Sequence, residues 1–182
     1  MKKETETSTD TWDSLTLFLH WISAIWVLGL IGLGLAMVNL VHTSGQKFEL
    51  YQFHKSYGLL FAAILICRLF WKFLSPPRKI SDAGMLRKLA IVNQNLMLCM
   101  LVLLITSGYA LSSFSMIPIP INVLGWNAPS LLQPDLIMEQ WAKEAHHYIA
   151  FFLTALVLIH IGAALFHHFI LKDQTLTRML KK

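Results

Sequence analysis

Four long apolar runs dominate the chain, separated by shorter stretches rich in charged, polar and turn-forming residues. They cover about Leu15–Val41, Phe53–Leu74, Ile91–Leu111 and Ala145–Leu171. Each is long enough to cross a hydrocarbon core of about 30 Å as an α-helix. The pattern predicts an all-α fold, an integral membrane four-helix bundle. A polar tail over 1–14, one transmembrane domain over 15–172 and a polar tail over 173–182 complete it. Pro76-Pro77 stops the second run. The stretch Ser112–Lys143, with Pro118, Pro120, Pro129 and Pro134, is too proline-rich to span and reads as a connecting loop along the interface.

Composition agrees. The 182 residues are 55% hydrophobic and 14% charged, which places the chain in the membrane class. The net charge of +5 changes the picture only through its distribution. Lys2, Lys3, Lys72, Arg78, Lys79, Arg87, Lys88, Lys172, Arg178, Lys181 and Lys182 fall at one end of the bundle. Lys47, Lys55 and Lys143 fall at the other. The positive-inside bias puts both termini and the loop Ser75–Ala90 in the cytoplasm. The basic excess is then a topology signal with secondary contact to anionic lipid, and no nucleic acid partner is implied.

The candidate chemistry lies in histidines within the apolar runs, where an ionisable side chain is costly and marks function. His20 sits in the first run, His54 opens the second, and the fourth carries His146, His147, His160, His167 and His168. His146 and His160 are fourteen residues apart. On a helix they share a face to within about 40° and stand about 21 Å apart along the axis. Each matches one other histidine in depth: His54 with His146 at the outer side, His20 with His160 at the inner. A small residue follows each of the four at the fourth position: Ala24, Gly58, Ala150 and Ala164. That clearance suits a flat ligand between helices.

Two paired imidazoles make a closed axial site for haem iron, which favours electron transfer over oxygen activation. The residues thus point to two non-covalent haems held by His20, His54, His146 and His160. No acid–base catalytic residue is assigned. His147 and His167 remain alternatives within this set, His167 because it is one heptad after His160. Arg68 either snorkels or holds a haem propionate. Asn93, Gln94, Asn95 and Ser107-Gly108 read as interhelical hydrogen-bonding groups, or as a quinone contact. Cys67 and Cys99 lack a CxxC or CxxCH partner, which excludes covalent haem, and read as small core hydrophobes.

The strings LHW in the first run, FHKSYG followed by CRLFWK in the second, and HIGAALFHHFILKDQTLTRM at the end resemble the bacterial cytochrome b561 family of four-helix dihaem membrane proteins. The resemblance runs from about Leu15 to Met179. It implies that His20 and His160 bind the cytoplasmic haem b, and His54 and His146 the periplasmic one. It also implies electron exchange with membrane quinone. One type within the family, a superoxide:ubiquinone oxidoreductase, extends this to superoxide as an outer electron donor.

Two rival readings remain. One is a membrane-anchoring cytochrome subunit of a dehydrogenase or hydrogenase complex. The other is a histidine-lined metal transporter, although the expected spans hold no Asp or Glu except Glu144 at an edge.

Overall fold

The computed structural model describes residues 12–39, 43–75, 84–117 and 119–180. Four long apolar helices form the bundle: α1 (Ser14–Asn39), α2 (Ser44–Leu74), α3 (Met85–Phe114) and α4 (Leu136–Phe169). Between α3 and α4 lie two short strands, β1 (Ile121–Val123) and β2 (Trp126–Ala128), and a single turn, α5 (Thr177–Leu180), closes the chain. With four helices in antiparallel succession, the termini share one end of the bundle and the β-hairpin the other. His42, Arg78 and Lys79 lie outside the described residues.

The helix starts follow from local capping. Asp13 accepts hydrogen bonds from the Thr16 amide at 2.8 Å and the Thr16 hydroxyl, so α1 begins just after it. Thr43 and Gln46 form a capping pair, with the Gln46 amide donating to Thr43 Oγ1 at 3.4 Å and the Thr43 hydroxyl to Gln46 Oε1 at 2.8 Å. Asp135 Oδ1 accepts from the Ile137 and Met138 amides, both at 2.9 Å. These caps extend two helices past their apolar runs. α2 begins nine residues before Phe53, and α4 nine residues before Ala145. His54 and His146 therefore do not open their helices; each is the eleventh residue of one.

The part of 112–143 expected as loop holds more order than its prolines suggested. β1 and β2 pair antiparallel, with Ile121 opposite Ala128 and Val123 opposite Trp126. Leu124 (φ 51°) and Gly125 (φ 86°) both take the left-handed region in the two-residue turn, as a tight hairpin needs. The hairpin docks on α2, where the Ser56 hydroxyl donates to the Asn122 carbonyl. On the other side, the Tyr109 hydroxyl donates to the Pro129 carbonyl at 2.5 Å. The cap is thereby tied to α2 and α3 together.

α3 packs extensively on α4 and α1 on α2, while α2 meets α3 more lightly and α1 and α4 approach sparingly. The bundle is thus two helix pairs facing one another. Trp26 Nε1 donates to the Tyr57 carbonyl at 3.0 Å and Trp71 Nε1 to Thr16 Oγ1 at 3.0 Å, fixing α1 on α2. One cluster joins all four helices: Val27, Phe61, Leu65, Leu101, Leu153 and Val157. Outside it, large apolar side chains face outward, among them Phe73 at 84% exposure and Phe151 at 75%. That is the surface expected of a bundle whose solvent is lipid. Cys67 and Cys99 are free thiols on this outer surface, not core residues. In hydrocarbon a thiol is apolar enough to face either way, so depth in a span does not decide its direction.

At the termini end, Lys172 (φ 51°) breaks α4 and the chain turns back. Asp173 secures the turn. Its Oδ2 lies 2.5 Å from His167 Nδ1 and its Oδ1 accepts from the Thr175 amide at 2.8 Å. Trp21 Nε1 then donates to the Met179 carbonyl at 2.7 Å, holding α5 against α1. Desolvation would raise the Asp173 carboxyl, but the hydrogen bonds from His167 and Thr175 outweigh it and hold it down at about 2. A carboxyl depressed in the folded state stabilises this turn above its ordinary value near 3.8, and the contribution is lost as pH falls toward about 2.

Asp173→Asn should loosen the turn, seen as several-fold faster tryptic cleavage after Lys172 at neutral pH with the bundle intact. Pepsin cleavage of the tail should accelerate between pH 4 and 2 in the unaltered protein, measured relative to Asp173→Asn. Equal cleavage of the two proteins at neutral pH would show that the carboxylate does not hold the turn.

Candidate functional site

Heptad spacing positions the histidines around the central apolar layer. Val27 follows His20 by seven residues, Phe61 follows His54 by seven, and Leu153 lies seven from both His146 and His160. Each histidine therefore occupies the same helix face as a buried core residue, one heptad away. One pair lies on the hairpin side of that layer and the other on the termini side.

The structure brings together the residues singled out by depth. The rings of His54 and His146 have their centroids 6.2 Å apart at an interplanar angle of 85°. Those of His20 and His160 are also 6.2 Å apart, at 60°. Each pair joins α4 to a different helix of the facing α1/α2 unit. All four rings are half-buried.

The other histidines are directed elsewhere. His147 is exposed, with its ring edge against Tyr148. His167 is engaged by Asp173. The His168 ring lies against Phe169.

The pairs are poorly explained as ordinary packing. No described residue hydrogen-bonds either ring nitrogen of His160 or His54, and His54 Nδ1 is buried without a partner. Unpaired buried nitrogens are costly, so the arrangement calls for something between the rings. Two imidazoles bonded to one metal from opposite sides, each at about 2.0–2.1 Å, have ring centres about 6 Å apart. Both pairs stand at that separation. Room beside the rings is also present: a Cβ added at Gly58 would meet nothing within 4 Å, and Ala24, Ala150 and Ala164 are likewise only half-buried. The residues present thus fit a flat, metal-centred group at each level. Among the described residues no three His, Cys, Asp or Glu side chains converge on one point.

α3 contributes no histidine but supports one. His146 Nδ1 lies 3.1 Å from the Leu104 carbonyl and 3.2 Å from Ser107 Oγ. A carbonyl only accepts, so Nδ1 carries the proton and Nε2 is left with its lone pair. Gly108 makes this approach feasible. A Cβ there would stand 2.9 Å from His146 Cε1 and 3.1 Å from Nδ1. The sequence signal was the Ser107-Gly108 dipeptide, but nothing in the spacing connected it to α4. Gly34 also faces His54, but a Cβ there would make only an ordinary contact, 3.7 Å from His54 Cε1.

At the other level, the half-buried Arg68 brings Nη2 to 3.5 Å from His20 Nδ1. That separation is at the limit of a hydrogen bond, so Arg68 acts there mainly as a fixed charge. Of the polar residues at the mouth of α3, Asn95 accepts from Lys72 Nζ at 2.6 Å, an α2–α3 tie, and Asn93 donates to Met97 Sδ at 3.4 Å.

Comparisons with known proteins give the family. The chain matches the family described as prokaryotic cytochrome b561 over residues 11–182. It is 37% identical over 166 residues to cytochrome b561 homolog 2 of Escherichia coli (strain K12), covering 90% of this chain and 87% of that protein. It is 38% identical over 61 residues to cytochrome b561 homolog 1 of the same organism, covering 34% of this chain and 35% of that one. The chain therefore belongs to the prokaryotic cytochrome b561 family, multi-pass membrane b-type cytochromes that transfer electrons.

Proposed function

We propose that this protein is a dihaem cytochrome of the bacterial inner membrane that carries electrons between its two faces and exchanges them with membrane quinone. The observation that carries the reading is the pair of histidine pairs, each at 6.2 Å and each joining α4 to a different helix. His54 and His146 would hold one haem b on the hairpin side, His20 and His160 a second on the termini side. Arg68 is placed to meet a propionate of the termini-side group. Bound haem supplies a one-electron couple that no side chain here provides.

The chain's own work is positional. His54 with His146, and His20 with His160, would each hold a haem with two imidazoles, a ligation that would suit electron transfer over oxygen binding. Leu104 and Ser107 hold the His146 proton on Nδ1 and so leave the Nε2 lone pair free for a metal. The central apolar layer keeps water from the space between the levels. The bias of Lys and Arg toward the termini end supports a cytoplasmic termini end and a periplasmic hairpin.

A one-electron donor would then meet the hairpin face. Superoxide would benefit from a positive surface, but Lys47, Lys55 and Lys143 there are balanced by Glu49, Asp135, Glu139 and Glu144. Anion steering is therefore no argument for that donor. A membrane-anchor role for a soluble dehydrogenase would show as co-purification of a peripheral subunit.

A dithionite-reduced minus oxidised visible spectrum with a pyridine haemochrome count should give two b haems per polypeptide. Alanine at His20, His54, His146 or His160 should each remove one. Full haem retention in all four variants would sink the assignment. Gly108→Ala should displace His146, lowering hairpin-side haem occupancy at least several-fold while the termini-side haem stays. Unchanged occupancy and spectrum would show that α3 yields to the methyl group.

A further inference from the structure

We propose that a groove between α1 and α5 seats an acyl chain of an anionic phospholipid, drawn from the leaflet at the termini end of the bundle.

The groove exists because the tail turns back. After Lys172 breaks α4, the chain returns to the outward side of α1, and the Trp21 indole donates to the Met179 carbonyl at 2.7 Å. Between the two elements lies a hollow of about 460 Å³, walled by Leu17, Phe18, Trp21 and Ile25 of α1 and by Met179 and Leu180 of α5. That volume falls in the range of small-molecule sites. Phe18 is 60% exposed and Ile25 69%, so the open side faces outward, where hydrocarbon lies. Leu17 and Ile25 are eight residues apart, about 12 Å along the helix axis. The hollow therefore starts near the beginning of α1 and runs inward across less than half of a core about 30 Å thick. A chain belonging to one leaflet occupies that depth.

The walls favour hydrocarbon over a polar headgroup. Among the described side chains lining the groove, only Trp21 carries an N–H or O–H, and that N–H is bonded to Met179. The carbonyls of a quinone would find no side-chain donor there and would lose their bonds to water. An acyl chain has no such need.

The mouth supplies the charge. The last eleven residues hold Lys172, Arg178, Lys181 and Lys182 against a single acid, Asp173. Asp173 is engaged by His167 and the Thr175 amide. Asp13, just before α1, is engaged by Thr16. Arg178 directly precedes the two lining residues of α5, and Lys181 and Lys182 follow them in the sequence. A headgroup whose chain lies in the groove thus meets a net-positive segment whose nearby carboxylates are already bonded. A headgroup with net negative charge gains from that segment, and one that brings its own cation gains less. The occupied groove also backs the termini-side level, since the Trp21 ring stands edge-on to His20 with centroids 5.3 Å apart. Nothing in the site depends on the histidine pairs holding haem, so its failure and theirs would be separate results.

The test is photo-crosslinking of the full-length protein in phosphatidylcholine nanodiscs. These are doped with a trace of phosphatidylglycerol or of phosphatidylcholine, each carrying a diazirine in its acyl chain. Peptide mapping should find the phosphatidylglycerol adducts concentrated on Leu17–Ile25 and Met179–Leu180, at least several-fold above those from phosphatidylcholine. Replacing Lys172, Arg178, Lys181 and Lys182 together by Gln should abolish that excess without disturbing the bundle. Trp21→Phe, which releases the Met179 carbonyl, should lower labelling of α5 while α1 stays labelled.

Adducts spread evenly over the outward faces of the four long helices would overturn the proposal, as would equal labelling by the two lipids. An excess that survives the Gln replacements would show that charge does not select the lipid. Loss of the adducts on adding quinone, at a level that leaves other lipid contacts unchanged, would give the groove to quinone instead.

Discussion

An imidazole inside hydrocarbon has no water to bond, and each of its nitrogens must find a partner within the protein or in something the protein holds. That constraint orders this bundle. Four rings are carried at the same heptad phase as the central core residues, so the packing that buries Phe61 and Leu153 to 2% and 1% exposure also aims the histidines inward. Where the chain supplies a partner it does so selectively: His146 is bonded on one nitrogen, and His54 and His160 on none.

The helices divide this labour. α4 is the common wall, presenting one histidine to each level, and it is held by its long contact with α3. α1 and α2 each bring a single histidine across from the facing pair and are tied together by Trp26 and Trp71. α3 looks dispensable from a list of ligands, yet it seats His146 and anchors the hairpin through Tyr109. A methyl group at Gly108 would occupy the volume of that ring. Local backbone chemistry on α3, which carries no histidine, thus decides the tautomer of His146 on its neighbour.

Much of this was legible in the sequence, for physical reasons particular to membranes. Hydropathy marks spans because a single segment can satisfy its own backbone in lipid only as a helix, so four long apolar runs meant four helices. The histidines stood out because they are expensive there, and the fourteen-residue interval between His146 and His160 fixed their shared face. What stayed hidden depends on contacts between elements. The Ser107-Gly108 seat is visible only once α3 lies against α4. The hairpin was obscured because Leu124, a residue that disfavours positive φ, occupies the turn, and prolines surround it. The helix starts at Ser44 and Leu136 lie in polar sequence beyond the apolar runs, where capping by Thr43 and Asp135 decides. The outward direction of Cys67 and Cys99 carried no signal at all.

The layer between the two levels explains why such a bundle suits electrons better than ions or protons. Val27, Phe61, Leu65, Leu101, Leu153 and Val157 offer no group that could pass a proton or shed a hydration shell. The hydroxyls nearest this layer are already satisfied by their own helices, Ser23 donating to the Leu19 carbonyl at 2.6 Å and Thr154 to the Ala150 carbonyl at 2.8 Å. Bonded in this way, they cannot readily recruit a chain of water. An electron needs no such chain, since it crosses a packed apolar layer by overlap and not by diffusion. On the dihaem reading proposed above, the same packing that orients the histidines would let electrons cross between the levels without carrying protons with them.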